Sequence, residues 1–224
     1  DFFTTITPLI REWLIKEGVA PDNVLHINNF AEVEHAPTPA SRAAAGIPDH
    51  APLLLGLGRL HPSKAFDVLI KAVADLPNVH VWIAGEGPAR ADLENLIETL
   101  GVQNRVKLLG WRDDRAALFK ASDICIFCSR YEPFGTVFVQ SWAQEVPVIV
   151  ADSDGPREFV RHNKDGLVVP KDDVEALKSA LTTLLADQAL QTKLVKNGLA
   201  RYQNEFTKQA AVGAYLALYQ KLLG

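Results

Sequence analysis

Short apolar runs alternate along the chain with longer stretches in which apolar residues recur at helical spacing. The runs are rich in Val, Ile and Leu, which is typical of strands covered by helices on both faces. The predicted strands are Leu53–Leu57, Val79–Ala84, Val106–Leu109, Ile124–Cys128, Val146–Val150 and Leu167–Val169. Helices are predicted between them at Ala65–Asp75, Ala89–Leu100, Arg115–Ala121 and Val137–Gln144. The alternation predicts an α/β fold with a Rossmann-like, doubly wound parallel sheet.

The two ends of the chain have a different pattern. Thr7 before Pro8 favours a helix start and Gly18 a helix end. The predicted elements are a helix at Pro8–Glu17, a strand at Val24–Ile27, a linker with a short helix at Glu34–Ile47, and helices at Val174–Ala186, Ala189–Gln203 and Thr207–Leu223. We therefore expect a flank over 1–29, a linker over 30–47, a domain over 48–203 and a terminal helix over 204–224.

Composition narrows the class of protein. The chain has 224 residues, 48% of them hydrophobic and 22% charged, which is an ordinary globular balance. Its net charge is −4 without a run of like charges, so nucleic acid is not an expected partner. The sequence contains no run of about 18 apolar residues, so no membrane span is predicted. Two cysteines fit a reducing compartment, and we expect a cytoplasmic protein.

The loop after the first strand of the predicted domain carries glycine and two cations. Open parallel sheets bind ligands at the carboxyl ends of their strands. Gly58 would let a ligand approach the backbone, and Arg59 and Lys64 could bind phosphate. The alternative is a glycine turn followed by solvated cations. A dinucleotide fingerprint is disfavoured, because it would need glycine where His61 stands.

Two further loops leave alternatives open. Gly85 and Gly87 permit either close approach of a ligand or a tight turn. Trp111 could offer a stacking surface to a nucleobase, whereas an exposed helix cap built on Asp113 is the alternative for that loop.

The loop Arg130–Thr136 joins a strand to a helix. A helix that starts after Gly135 presents free N–H groups and a partial positive charge, which suit a phosphate. Glu132 could accept hydrogen bonds from sugar hydroxyls, or have a structural role only.

These motifs occur together in one order along the chain. The segments that together resemble a known protein family are Gly58–Asp67, Ala84–Gly87, Leu108–Trp111, Glu132–Gly135, Trp142-Ala143, Val146–Val150, Gly155–Glu158 and Asp165–Pro170. In this combination the chain resembles the C-terminal, donor-binding half of the family-4 retaining glycosyltransferases, which have two Rossmann-like domains (the GT-B fold). The resemblance implies that the flank Asp1–Asn29 belongs with the other half and that the helix Thr207–Leu223 crosses back to it.

The resemblance also implies a function. The full enzyme would transfer a hexose-type sugar from a UDP, GDP or ADP donor to a hydroxyl acceptor, in polysaccharide or lipopolysaccharide synthesis. No cofactor and no metal are expected. The other half would supply the acceptor site and a catalytic histidine, and could bring the enzyme to the inner face of the membrane. The present chain alone is then expected to be inactive, with apolar residues such as Phe3 and Leu216 on its flanks facing that half.

Roles for single residues follow from the same resemblance. Arg59 and Lys64 would hold the donor diphosphate, Glu132 would contact the sugar, and amides of Phe134–Thr136 would contact sugar and phosphate. Donor-binding positions are expected at Gly58, Gly85, Gly87, Trp111, Phe134, Gly135, Thr136 and Gln140. The family pattern has glutamate at the last of these, where it bonds the ribose hydroxyls.

Rival interpretations remain at this stage. Gln140 in place of glutamate favours a nucleotide-sugar binder that does not transfer sugar. An NAD-dependent oxidoreductase is disfavoured by the failed glycine fingerprint. Cys125 and Cys128 form a C-x-x-C pattern, but residues three apart on a strand point to opposite faces, so we expect core packing.

Overall fold

The computed structural model of the chain describes residues 1–33 and 38–223 and contains two parallel sheets. The strands are β1 (Phe3–Thr5), β2 (Val24–His26), β3 (Leu53–Leu57), β4 (His80–Ala84), β5 (Val106–Gly110), β6 (Ile124–Phe127), β7 (Val148–Ala151) and β8 (Leu167–Val169). The α-helices are α1 (Pro8–Lys16), α2 (Phe66–Ala74), α3 (Arg90–Thr99), α4 (Arg115–Ala121), α5 (Thr136–Ala143), α6 (Asp154–Phe159), α7 (Val174–Ala186), α8 (Gln188–Glu205) and α9 (Lys208–Leu223).

The larger sheet has six parallel strands in the order β5-β4-β3-β6-β7-β8. The chain builds outward from β3 to β5, then returns to the other side of β3 and builds outward again to β8. The predicted doubly wound sheet is therefore confirmed. The direction of winding reverses between β3 and β6, and the loops that leave these two strands diverge, which opens a crevice at their carboxyl ends.

Apolar side chains cover both faces of this sheet. One face, with Leu54 and Ile126, packs against α2, α3 and α7, and the other, with Leu55 and Phe127, packs against α4 and α5. Cys128 lies in the first layer and Cys125 in the second, so the two thiols cannot meet. Burial raises the pKa of each thiol to about 12, which leaves both cysteines protonated packing residues, as predicted.

Some predicted boundaries are wrong for identifiable reasons. The strand expected from Val146 begins at Val148, because Glu145 and Val146 close the end of α5: Glu145 has φ 57° and the Val146 amide donates to the Ser141 carbonyl at 3.0 Å. The strand expected to end at Cys128 ends at Phe127. Helix α6 was not predicted, because its six residues, DGPREF, include glycine and proline.

The N-terminal end of the chain forms a second, smaller sheet with one helix. Strands β1 and β2 pair in parallel, and α1 begins as predicted after Thr7, whose side chain accepts from the Ile10 amide at 3.2 Å. The short helix expected within Glu34–Ile47 is a single 3-10 turn at Ala43–Ala45, while Glu34–Pro37 of that linker lie outside the described residues.

The segment after β2 lies beside the end of α8 and the start of α9. The Asn28 side-chain amide donates to the Glu205 carbonyl at 3.3 Å, and Lys208 forms an ion pair with Glu32 at 2.7 Å. The segment that follows β2 therefore contacts the junction between α8 and α9.

Candidate functional site

A cavity of 410 Å³ opens at the carboxyl ends of β3, β4 and β5 and at the first turns of α4 and α5. It lies beside the point where the winding of the sheet reverses. Its walls are formed by Leu57, Gly58, Arg59, Ala84, Gly85, Glu86, Trp111, Arg112, Arg115, Thr136, Val137 and Gln140. Of the residues predicted from the sequence, Gly58, Arg59, Gly85, Trp111, Thr136 and Gln140 thus face one space.

A larger groove, of 740 Å³, lies at the opposite end of the sheet between α8 and the starts of β6 and β7. Asp123 and Glu145 contribute acidic groups there, and Lys196 is the only cation among its lining residues. The smaller cavity combines three arginines with the first turn of α5 and is therefore the better site for an anion.

The loop after β3 places its two predicted cations differently. Arg59 is exposed, lines the cavity, and forms no ion pair within the described part of the chain. Lys64 ends a 3-10 turn, Pro62–Lys64, and lies outside the cavity wall. Its side chain passes next to Gly58, where an added Cβ would lie 3.7 Å from the Lys64 Cδ. Arg59 therefore faces the cavity directly, and Lys64 reaches its edge past Gly58.

Lys64 and Glu132 form an ion pair beside the cavity. The two side chains are only 23% and 13% exposed, so water weakens their attraction less than at an open surface. The pair joins two predicted site residues that lie 68 positions apart in the sequence. Lys64 also lies 5.8 Å from the centre of the Phe127 ring.

Gly85 and Gly87 allow neighbouring loops to touch. A Cβ at Gly85 would clash with the Gly58 carbonyl, and one at Gly87 would clash with the Leu60 backbone. The Gly85 amide also donates to the Gly110 carbonyl at 2.8 Å. These contacts support the interpretation of a tight turn. Gly85 nevertheless lines the cavity, whereas Gly87 does not.

Trp111 projects from the loop after β5 and is 74% exposed. Its indole N–H donates to the Asp113 carboxylate at 2.8 Å. The alternative of a helix cap built on Asp113 is wrong, because Asp114 precedes α4 and its carboxylate is engaged by Arg112 at 2.6 and 2.7 Å. The exposed Trp111 indole therefore forms one wall of the cavity.

The first turn of α5 closes the remaining wall. Gly135 precedes this helix with φ 82°, and a Cβ there would clash with the Phe127 ring and the Glu132 side chain. Thr136 and Gln140 line the cavity one turn apart on the helix. Phe134 is buried against Phe138 and Phe159 instead, so only its backbone is available to a ligand.

Several wall residues were not singled out from the sequence. Glu86, Arg112, Arg115 and Val137 line the cavity, and Glu86 forms an ion pair with Arg90 at 3.0 Å. Arg115 is the first residue of α4, and its position directly after the Trp111 loop was the available signal. Arg115 and Gln140 also line a second, small cavity next to this one, so both lie where the two spaces meet.

Neither a membrane-spanning helix nor a metal-binding group of side chains is present in the described residues. Within 1–33 and 38–223, no helix is both long enough and apolar enough to cross a bilayer. In the same residues, no group of three or more His, Cys, Asp and Glu side chains is arranged to hold a metal ion.

Comparison with known proteins gives consistent results. The chain is 38% identical over 177 residues to the lipopolysaccharide core biosynthesis glycosyltransferase LpsE of Rhizobium meliloti, across 79% of this chain and 52% of that protein. It superposes on sucrose-phosphate synthase from Thermosynechococcus elongatus with a TM-score of 0.84 at 28% identity, across 98% of this chain and 58% of the other. The chain therefore spans about half the length of these relatives.

A further solved structure shares the fold. Anabaena HepE in complex with UDP-glucose superposes with a TM-score of 0.85 at 24% identity, across 99% of this chain and 63% of that one. The predicted Rossmann-like half of the GT-B fold is thus confirmed. Residues 37–201 match the family described as Glycosyl transferases group 1. The chain belongs to this glycosyltransferase family.

Proposed function

We propose that this chain binds a nucleoside-diphosphate sugar and forms the donor half of a retaining glycosyltransferase. The observation that carries the proposal is that Arg59, which has no ion pair among residues 1–33 and 38–223, meets exposed Trp111, Gln140 and the first turn of α5 in one cavity. Their chemistry matches the parts of such a donor: cations and amide groups for the diphosphate, an aromatic face for the base, and an amide for ribose hydroxyls.

The diphosphate is placed between Arg59, Lys64 and the start of α5. When the sugar leaves, the bond from its anomeric carbon to the phosphate oxygen breaks and negative charge accumulates on the nucleoside diphosphate. Fixed cations and amide dipoles stabilise that charge because they are already oriented towards it. Lys64 pairs with Glu132, so we propose that both groups reorient towards phosphate and sugar when the donor binds.

The reaction proposed for the whole protein is transfer of a hexose-type sugar to a hydroxyl. A new bond forms from the acceptor oxygen to the anomeric carbon, the acceptor hydroxyl gives its proton to the departing nucleoside diphosphate, and the anomeric configuration is retained. Polysaccharide or lipopolysaccharide synthesis is the proposed setting, since the relative LpsE is a lipopolysaccharide core biosynthesis glycosyltransferase. The donor is proposed to carry UDP, GDP or ADP, without a metal or other cofactor.

The proposed domain layout follows the sequence prediction. Residues 48–203 form the donor domain, 30–47 form the linker, and 1–29 and 204–224 associate with a second Rossmann-like half. That half supplies the acceptor site and any contact with the inner face of the membrane. The exposed apolar side chains of Phe3, Ile6, Leu216 and Leu222 support a partner surface on the two flanks.

Calorimetric titration with UDP, GDP and ADP tests the donor site. One of the three is expected to bind, and Arg59→Ala is expected to weaken that binding about tenfold or more, since a charge-assisted bond contributes about 1.5–3 kcal/mol. Lys196→Ala is the matched control, because it removes one positive charge at the opposite end of the sheet. Equal affinity of the Arg59→Ala and unchanged proteins would contradict the placement of the diphosphate.

A second candidate function is donor binding without transfer. It is favoured by Gln140, which lines the cavity at the position where the family pattern has glutamate. Product formation by the full-length protein, with each candidate sugar nucleotide and a hydroxyl acceptor, separates the two functions. Tight binding without product supports the non-transferring binder.

A further inference from the structure

Arg130 lies three residues after the end of β6, in the loop that leads to Glu132, and its side chain extends towards the loop that carries Lys64. Its guanidinium donates to the Pro62 carbonyl at 2.5 Å, to both oxygens of Asp67 at 2.9 Å each, and to Asp172 at 2.5 Å. The Arg130 backbone amide donates to the Ser63 carbonyl at 2.8 Å. One residue thus joins the loop after β3, the first turn of α2 and the loop after β8.

These bonds flank Lys64 on both sides. Pro62 and Ser63 precede it, and Asp67 follows it in the first turn of α2. Lys64 itself ends a single 3-10 turn, and Ala65 after it has a left-handed backbone with φ 54°. So short a turn has little rigidity of its own. Within the described residues, this turn is tied to the β6 loop by the Lys64–Glu132 ion pair, by the hydrogen bonds of Arg130, and by the Cys128 thiol, a weak donor.

We propose that Arg130 is a positioning residue, which fixes the loop of Lys64 against the loop of Glu132 so that Lys64 meets the diphosphate of the donor. The inference rests on the proposed function, and it gives Arg130 a role distinct from that of Arg59. Arg59 faces the cavity and pairs with no carboxylate in the described part of the chain, whereas Arg130 lies outside the cavity wall and its charge is balanced by Asp67 and Asp172.

The electrostatics agree with a fixed anchor. Burial alone would raise the pKa of Asp67, but the hydrogen bonds and charge of Arg130, with a smaller contribution from Lys71, outweigh it and hold that pKa below its usual value. Asp67 is therefore ionised at neutral pH. The planar guanidinium makes four hydrogen bonds to a carbonyl and two carboxylates, and a lysine ammonium has only three N–H donors.

A double-mutant cycle in the full-length protein tests the inference. Affinity is measured for whichever of UDP, GDP and ADP binds most tightly, in the unchanged protein, Lys64→Ala, Arg130→Ala and the double variant. Arg130→Ala is expected to weaken binding about tenfold in the unchanged background and less than about twofold once Lys64 is absent, because residues that act through each other are not additive. An equal loss in both backgrounds, or no loss in either, would overturn the inference.

Two further variants keep the result interpretable. Arg42→Ala is the matched control: Arg42 also bonds a carboxylate, Asp123 at 2.8 Å, and a carbonyl, Ala121 at 2.7 Å, but at the other end of β6. It is expected to lower the melting temperature without changing affinity. If Arg130→Ala does not fold, Arg130→Lys replaces it in the cycle. Arg130→Lys is then expected to cause a smaller loss of affinity, which is again greater when Lys64 is present than when it is absent.

The single Lys64→Ala variant separates this inference from the proposed function. If it binds the nucleoside diphosphate as tightly as the unchanged protein, then Lys64 does not hold the phosphate, and both the proposed placement and the role of Arg130 are overturned. If Lys64→Ala weakens binding but Arg130→Ala does so equally with or without Lys64, only the role of Arg130 is overturned.

Discussion

At the scale of single residues, Gln140 is a position where this chain departs from the family pattern. We predict that Gln140→Glu tightens binding of the nucleoside diphosphate, because a carboxylate makes stronger hydrogen bonds to ribose hydroxyls than an amide does. The free energy of unfolding should change by less than about 0.5 kcal/mol, as for other partly exposed positions. Calorimetry and thermal denaturation measure the two effects.

Gln203→Glu provides the control for Gln140→Glu. It adds the same charge on α8, in the groove at the opposite end of the sheet, and should leave affinity unchanged. Weaker binding by Gln140→Glu would mean that the pocket is built around the amide, and would support the non-transferring binder.

Asp67 gives a second prediction at this scale, in acid. Its pKa in the folded protein is lowered, so its pairing with Arg130 stabilises the fold fully above the ordinary value of about 3.9 and is lost as pH falls through the lower, folded value. Asp67→Asn should therefore lower the free energy of unfolding at pH 7. Below about pH 4, this free energy should fall less steeply with pH in the variant than in the unchanged protein. Urea denaturation at a series of pH values measures this. If the free energy of unfolding falls equally with decreasing pH in both proteins, the prediction is contradicted.

At the scale of elements, α5 and α8 pack so closely that one glycine is required. A Cβ at Gly198 in α8 would clash with the Trp142 indole of α5, whereas a Cβ at Gly213 in α9 would meet nothing within 4 Å. We predict that Gly198→Ala destabilises the protein by about 1–3 kcal/mol through overpacking. Gly213→Ala should stabilise it by about 0.5–1 kcal/mol through helix propensity.

Thermal or urea denaturation of the two variants compares the same substitution in two helices. Both changes add one methyl group to a helical glycine, so both gain the same helix propensity. If the change in the free energy of unfolding has opposite signs in the two variants, the difference comes from packing. Stabilisation by Gly198→Ala would mean that the indole can move aside at little cost.

The elements also show how far the sequence predicts the fold. All six strands of the larger sheet were predicted, because buried parallel strands require continuous runs of Val, Ile and Leu. The start of β7 was missed, since the closing turn of α5 uses Val146, an apolar residue that fits either element. Strand β1 was not predicted as a separate element, because Phe3–Thr5 is too short to show a period.

The site was predicted only in part. Its loops could be found, because glycines and cations after strands are local signals, and six of the predicted positions line one cavity. The sequence did not show which charged side chains form ion pairs. Lys64 with Glu132, and Arg130 with Asp67, depend on how loops more than 60 residues apart fold against each other. Whether each residue has the role expected of it stays a prediction.

At the scale of the whole molecule, we predict that this chain alone does not transfer sugar. Holding donor and acceptor in reactive contact lowers the barrier by about 7–11 kcal/mol, and the cavity described here offers only donor contacts. Adding the half that the longer relatives possess should restore transfer. A radiolabelled sugar-transfer assay with and without that half measures this, and equal rates in the two mixtures would contradict the prediction.

The contact between Asn28 and Glu205, with the ion pair between Glu32 and Lys208, has a consequence for how this part of the protein can be exchanged. A segment whose two ends meet at one corner can be cut out and grafted into another protein without a spacer, since joining its ends costs little chain entropy. Residues 30–206 thus have the geometry of a cassette, which could be moved between enzymes to pair one donor preference with a different acceptor.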